Sequence, residues 1–376
     1  MKKFLKVLLN TILILVVVVA VGWYFYGDEI FSMFMPKEEQ VDQTAQDLTV
    51  TTEEPAVVAE PEPEVVNADT SILFTGDVEI STYVQSAYDA GGIGSVASEE
   101  IQSLMNDATF TMINNEFCYS ERGQQAPDKQ FTFRVNPSYV SILNELGVDI
   151  AGLANNHVLD YGHDALTDTF TTLTNAGIDF TGAGNSLEEA SKLIIKTDEM
   201  GRTYGFLAAS HVIPTGSWNV LNSQPGEFCF YDETDLLKAI EAARPQVDYL
   251  FVMVHWGVER TTELEDYQVN DGHKMIDAGA DAVIGMHSHC LQPIEMYNGK
   301  PIFYSLGNFI FNQTIPSGGG GAVEVNVNQD NEISYKIHTI QATNTKTSID
   351  AAGRDYIESI SSNVAIDDNG IITEVH

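Results

Sequence analysis

Apolar and polar positions fall into sharply different regimes along this chain. From Val7 to Tyr26 almost every position is apolar, with only Asn10 and Thr11 clearly polar. At about 1.5 Å per residue a helix of that length spans a hydrocarbon core of about 30 Å, so residues 7–26 are predicted to form a transmembrane anchor. Lys2, Lys3 and Lys6 precede it, while Trp23, Tyr24 and Tyr26 suit the membrane interface. The positive-inside rule then keeps residues 1–6 in the cytoplasm. The expectation is a single-pass cell-membrane protein whose folded part is extracellular. Ala20-Val21-Gly22 resembles a signal-peptide cleavage site, but the apolar core is longer than signal peptides carry, which favours an uncleaved anchor. Residues 27–70 then lose all hydrophobic period. Their Glu, Thr, Val and Pro content, above all the run Glu60-Pro61-Glu62-Pro63-Glu64, predicts an acidic, disordered linker.

Beyond Ser71 short β-rich runs recur, each leading into a polar loop: Ile72-Leu73-Phe74, Phe110 to Ile113, Ile150 to Leu153, Tyr249 to Val254, and Ala282 to Ile284. Helical patterns lie between them at Pro137 to Leu146, Asp164 to Ala176, Thr234 to Ala243 and Asp271 to Ala278. This alternation predicts an α/β domain over residues 71–345, followed by a C-terminal extension at 346–376. Late runs at Pro301 to Ser305, Ala322 to Val327 and Ile333 to Ile340 are expected to be antiparallel strands completing a second sheet. Gly318 to Gly321 reads as a flexible hairpin or loop.

Composition narrows the function. Of 376 residues, 44% are hydrophobic, enough for a substantial core, while 54 Asp plus Glu against 18 Lys plus Arg leave a formal charge of −36. That charge repels a phosphate backbone, so naked nucleic acid is not an expected partner. Cys118, Cys229 and Cys290 are too few for a disulfide framework and contain no C-x-x-C pair.

Ligands of open α/β sheets bind beyond the carboxyl ends of the strands, and here those ends carry the chemistry. They deliver Gly76-Asp77-Val78-Glu79, Asn114-Asn115-Glu116, Asn155-Asn156-His157 with Asp160, His255-Trp256-Gly257, and Gly285-Met286-His287-Ser288-His289. A lone Asp there more often caps a helix, and a lone His is more often structural. Five strand ends in succession point elsewhere. Mixed oxygen and nitrogen donors suit Zn, Mn or Fe rather than Ca, and a bridging carboxylate would hold two such ions. Bound cations would also draw an anionic substrate into an acidic protein.

Taken in order, Gly76-Asp77, Asn114-x-Glu116, Asn155-Asn156-His157-x-x-Asp160-Tyr161-Gly162, His255-Trp256-Gly257-x-Glu259, Gly285-x-His287-x-His289 and Ser305-Leu306-Gly307-Asn308-Phe309 resemble the CapA family. This is the bacterial poly-γ-glutamate capsule synthesis group of the calcineurin-like metallophosphatase superfamily. The similarity runs from about Ser71 to Asn312 and implies a four-layer αββα sandwich. It also implies a ligand set: Asp77, Glu116 and His289 for one metal, and Glu116, Asn156, His255 and His287 for the other, with Glu116 bridging. His157 would stand beside the metals, oriented by Asp160, as the catalytic pair. Glu79 occupies the place of the His in an Asp-x-His pair and counts as a candidate ligand. Asn115 replaces the usual apolar residue, and Glu116 replaces the bridging Asp of most metallophosphatases.

The implied activity is metal-assisted hydrolysis of a phosphoester-like bond in capsule or envelope polymer metabolism, with other capsule-synthesis membrane proteins as further partners. The alternative is a non-hydrolytic protein that binds or guides an anionic polymer such as poly-γ-glutamate. A third reading has the centre cleaving an amide or ester in the polymer. No G-x-S-x-G elbow, H-E-x-x-H helix or P-loop is present. Gly182-Ala183-Gly184 reads as a turn before an N-cap at Ser186. Cys118 and Cys290 flank proposed ligands but are better read as small buried residues. His211 is equally a substrate contact or a loop residue. Arg122, Arg134 and Arg260 are scarce cations near the motifs, and surface pairing with carboxylates is their default.

Overall fold

Alternation within single strands sets the layering. In the strand Thr70–Val78, Ile72 and Phe74 face one apolar core while Leu73 faces another. In Tyr249–His255, Phe251 and Met253 share the core of Ile72 and Phe74, whereas Leu250, Val252 and Val254 face a third. Successive side chains of a strand point to opposite faces, so two sheets back to back leave one core between them and one outside each. The structure is a computed structural model that describes residues 69–375 apart from 223, 312 and 313. The expected anchor at 7–26 and nearly all of the linker lie outside the described residues. Among the described residues no helix is long and apolar enough to cross a membrane.

The first sheet runs Lys346–Ile349, Ile333–Thr343, Ile315–Val327, Thr70–Val78, Phe110–Asn115, Ile150–Gly152 and Asp179–Thr181, with Asn308–Ile310 also pairing on Thr70–Val78. The second runs Ile294–Tyr297, Lys300–Phe303, Ala282–Met286, Tyr249–His255, Thr203–Ser210 and Ile194–Thr197. In each sheet the central strands are parallel, so their carboxyl ends share an edge. Helices cover the outer faces. Ile101 and Met105 of Glu99–Asn106 and Leu166 and Leu173 of Gly162–Ala176 pack on the first sheet. Leu236 and Ile240 of Thr234–Ala243 and Met275 and Ile276 of Asp266–Asp277 pack on the second. Each such side chain contributes roughly 1.5–3 kcal/mol when fully buried.

Three expectations change. The strands at 315–327 and 333–343 complete the first sheet rather than the second, because Thr70–Val78 has a free edge on which Phe74 pairs with Val323, and Val323 and Val325 fill the core between the sheets. The Gly318 to Gly321 run lies inside the Ile315–Val327 strand rather than in a loop, and a Cβ on Gly320 would stand 1.6 Å from the Asn308 carbonyl oxygen. The helix expected from Asp271 starts at Asp266, since Glu265 and Gln268 form a capping box. Past residue 345, the helix Gly353–Ile360 and the pair Val364–Ile366 and Ile372–Glu374 send Ile357, Val364 and Ile372 into the core between the sheets.

Candidate metal centre

Asp77 is fixed by close backbone contact. Its N–H donates to the Gly307 carbonyl at 2.7 Å, and at the preceding residue a Cβ would sit 2.3 Å from the same oxygen, so only glycine fits at position 76. Asn114 Nδ2 donates to Asp77 Oδ1 at 2.7 Å, and the His287 N–H donates to Oδ2 at 3.1 Å. Asn155 in turn donates to Asn114 Oδ1 at 3.1 Å and to the Asn115 carbonyl at 3.0 Å. His287 and His289 both hold positive φ, at 93° and 55°. Such backbone costs of order 1 kcal/mol or more per residue and persists where the surroundings enforce it.

The side chains converge. Nε2 of His255 lies 2.8 Å from Asn156 Oδ1, 3.0 Å from His287 Nδ1 and 3.5 Å from Glu116 Oε1. His289 Nδ1 lies 3.8 Å from Asp77 Oδ2 and 2.9 Å from Asn308 Oδ1. Ligand atoms of Glu116, His255 and His287 all fall within 4.8 Å of one another, and so do those of Asp77, Glu116 and His289. Glu116 belongs to both groups.

The donor set suits divalent cations. Both Glu116 carboxyl oxygens are buried and have no hydrogen-bond partner, which costs several kcal/mol unless something charged satisfies them. Burial pushes the Glu116 and Asp77 carboxyls up, and it pushes His255 well down and His287 down to about 3. Neutral imidazoles and carboxylates are the ligating forms, and a cation offsets the cost of ionising the acids. Glu79, expected among the ligands, belongs to neither group. It is buried beside them on the cleft wall, and burial raises its carboxyl to about 8.

His157 stands next to this cluster. Its Nδ1 lies 2.7 Å from Asp160 Oδ2, which also accepts the Phe133 N–H at 2.7 Å. With Nδ1–H given to Asp160, Nε2 is left for chemistry. Burial lowers the His157 pKa while the Asp160 hydrogen bond works against that shift. Sequence reasoning missed Lys129. Its ammonium contacts Asp160 Oδ1 and the Asn156 carbonyl, and lies 3.0 Å from His157 Nδ1. It comes from a polar loop without periodicity, and only the fold brings it to the pair. Asn308 carried a signal in the Ser305-to-Phe309 motif without being singled out.

A cleft of about 540 Å³ opens over the centre, with Glu79, His157, His289, Arg134 and Arg260 on its walls. His211 does not line this cleft: its N–H donates to the His255 carbonyl at 2.8 Å, and its ring stacks on Tyr267 with centroids 3.9 Å apart. Ser186 caps the short helix Leu187–Ala190 as expected, and the three cysteines are free.

Two sheets that gather acidic, amide and imidazole donors at one edge define an α/β protein with a candidate metal centre. Residues 71–313 match the family described as Bacterial capsule synthesis protein PGA_cap. The chain belongs to that family. It is 33% identical over 245 residues to the PGA biosynthesis protein CapA of Bacillus subtilis, covering 65% of this chain and 63% of that protein. It is 28% identical over 260 residues to the capsule biosynthesis protein CapA of Bacillus anthracis, covering 66% and 61%. The chain thus spans less than two thirds of each of these relatives. A Staphylococcus aureus structure assigned as a 5′-nucleotidase, in complex with alpha-ketoglutarate, aligns with a TM-score of 0.44 at 13% identity, covering 78% of this chain and 58% of that one.

Proposed function

We propose that this protein is a membrane-anchored, metal-dependent hydrolase of phosphoester type that acts in capsule, poly-γ-glutamate or other envelope-polymer metabolism. The sharing of Glu116 by two groups of ligand atoms carries this reading. Asp77, Glu116 and His289 would hold one ion, and Glu116, Asn156, His255 and His287 the other, with Mn, Zn or Fe fitting the mixed donors. When bound, such ions supply Lewis-acid polarisation and activation of water. The chain supplies the rest. Asp160 orients His157, His157 Nε2 carries the proton to or from the leaving group, and Lys129 holds Asp160 and the Asn156 carbonyl in register. The hydrophobic segment 7–26 supports a membrane tether that would place the cleft outside the cell, within reach of other capsule-synthesis membrane proteins.

The test uses the full-length chain in detergent, supplied with Mn or Zn, a generic phosphodiester and poly-γ-glutamate. Turnover abolished by chelation and restored by metal is the expected result. Metal-dependent polymer binding with no turnover of either compound overturns the hydrolase reading and leaves a polymer-guiding protein.

A further inference from the structure

In a chain this acidic, arginines find carboxylates. Arg122 pairs with Asp168, Arg202 with Asp198, Arg244 with Asp281, and Arg354 with Asp355 and Asp368. Among the described residues only Arg134 and Arg260 have no carboxylate partner, and both line the cleft over the candidate metal centre. No lack of acids explains this, because Glu259 shares the cleft wall. Arg134 is held without neutralisation: its Nη1 donates to the Arg122 carbonyl at 3.0 Å, and its guanidinium lies 4.2 Å from the centre of the Tyr161 ring. Arg260 is placed by its backbone, which takes φ 61° and donates its N–H to the Ser288 carbonyl at 2.7 Å. That bond ties it to the turn carrying His287 and His289.

The same cleft is lined by large rings, with Tyr83 and Phe131 more than half exposed, at 51% and 56%. Two guanidinium forks lining one cleft match acidic groups at two points, and exposed rings match hydrocarbon. A net charge of −36 repels a polyanion at long range, so its capture depends on fixed local cations.

Building on the proposed function, we propose that Arg134 and Arg260 are the substrate-binding residues of this cleft, and that they grip successive carboxylates of an extended polycarboxylate lying across the metal centre. Their free state is what fits them to the task. An arginine already paired with a carboxylate would have to break that pair to bind another.

Binding of a fluorescently labelled poly-γ-glutamate oligomer to the full-length, Mn-loaded protein tests this by anisotropy, at several salt concentrations. Arg260→Gln and Arg134→Gln are each expected to weaken binding about tenfold, with a shallower salt dependence and unchanged Mn content. Arg260→Lys should recover part of the loss. Arg354→Gln, at a surface ion pair, should bind as the wild type does. Wild-type affinity in the Arg134→Gln/Arg260→Gln double variant overturns the proposal, as does an equal loss in Arg354→Gln. Equal or tighter binding of an inorganic polyphosphate of matched charge overturns the assignment to carboxylates. Because binding is read apart from turnover, a wild type that binds but does not hydrolyse fails the hydrolase reading alone. One that hydrolyses with unaffected variants fails this inference alone.

Discussion

Oε1 of Glu116 lies 3.5 Å from Nε2 of His255, and neither oxygen of that fully buried carboxyl has a hydrogen-bond partner. An ionised carboxyl in that position is costly, and a cation there would offset the cost. Glu116→Gln is therefore expected to lose metal from both groups of ligand atoms, with affinity falling 100-fold or more, since it removes the one negative charge that both groups share. Glu79→Gln should keep its metal, because Glu79 stands outside both groups. Elemental analysis after dialysis against limiting Mn reads both results, and a metal-replete Glu116→Gln protein would refute the first.

His157, Asp160 and Lys129 form a unit that touches the ligands without joining them. His157→Ala is expected to reduce turnover by about 10²–10⁴-fold with metal retained. Lys129→Met should reduce it about 10–100-fold, the range for residues that orient reactive groups. Steady-state kinetics beside metal content separates these effects from loss of the centre. Full turnover in Lys129→Met would leave that lysine a structural contact only.

Far from the cleft, Glu324 is held at about 2 against a reference of 4.5, chiefly by the hydrogen bond with His338 Nε2 at 2.7 Å. Because the folded value lies below the unfolded one, its contribution is present above pH 4.5 and is lost as pH falls towards 2. With solvent screening it amounts to about 1 kcal/mol. Urea denaturation at a series of pH values should show a smaller acid-dependent loss in Glu324→Gln than in the wild type. Identical pH dependence in the two would exclude the pair as a source of acid lability.

Gly76→Ala should destabilise the protein by about 2–4 kcal/mol, because its Cβ meets a backbone oxygen and the strand must move. Since Asp77 is the next residue, metal affinity should fall with stability. Thermal unfolding with and without Mn checks both. A Tm shift that leaves metal affinity intact would show that the Asp77 carboxyl is placed independently of its backbone.

Much of the centre was legible because each donor follows directly on an apolar run whose length and β-branching announce a strand. Asp77, Glu116, Asn156, His255, His287 and His289 all carry that local signature, and the structure draws them together. Lys129 carries none. It lies in an irregular stretch between Tyr119 and Arg134, and its meeting with Asp160 depends on how that loop folds back. The placement of the 315–327 and 333–343 strands was illegible for a related reason. Strand sequence fixes which faces are apolar, but the choice of sheet depends on which edge is left open, and that follows from the whole topology. Ionisation was equally hidden: nothing in the letters around Glu79 shows that burial raises its carboxyl to about 8.

The clasp of Asp77 by the Gly307 carbonyl, and the pairing of Asp77 with Asn308, join positions more than 200 residues apart. A nascent chain interrupted before residue 307 holds all six candidate donors yet lacks the backbone clasp on the first of them, leaving Asp77 only its contacts with Asn114 and the His287 N–H. The complete geometry around Asp77 is thus assembled only when about the last fifth of the polypeptide has arrived. Chains halted earlier would carry the right letters without that closing contact.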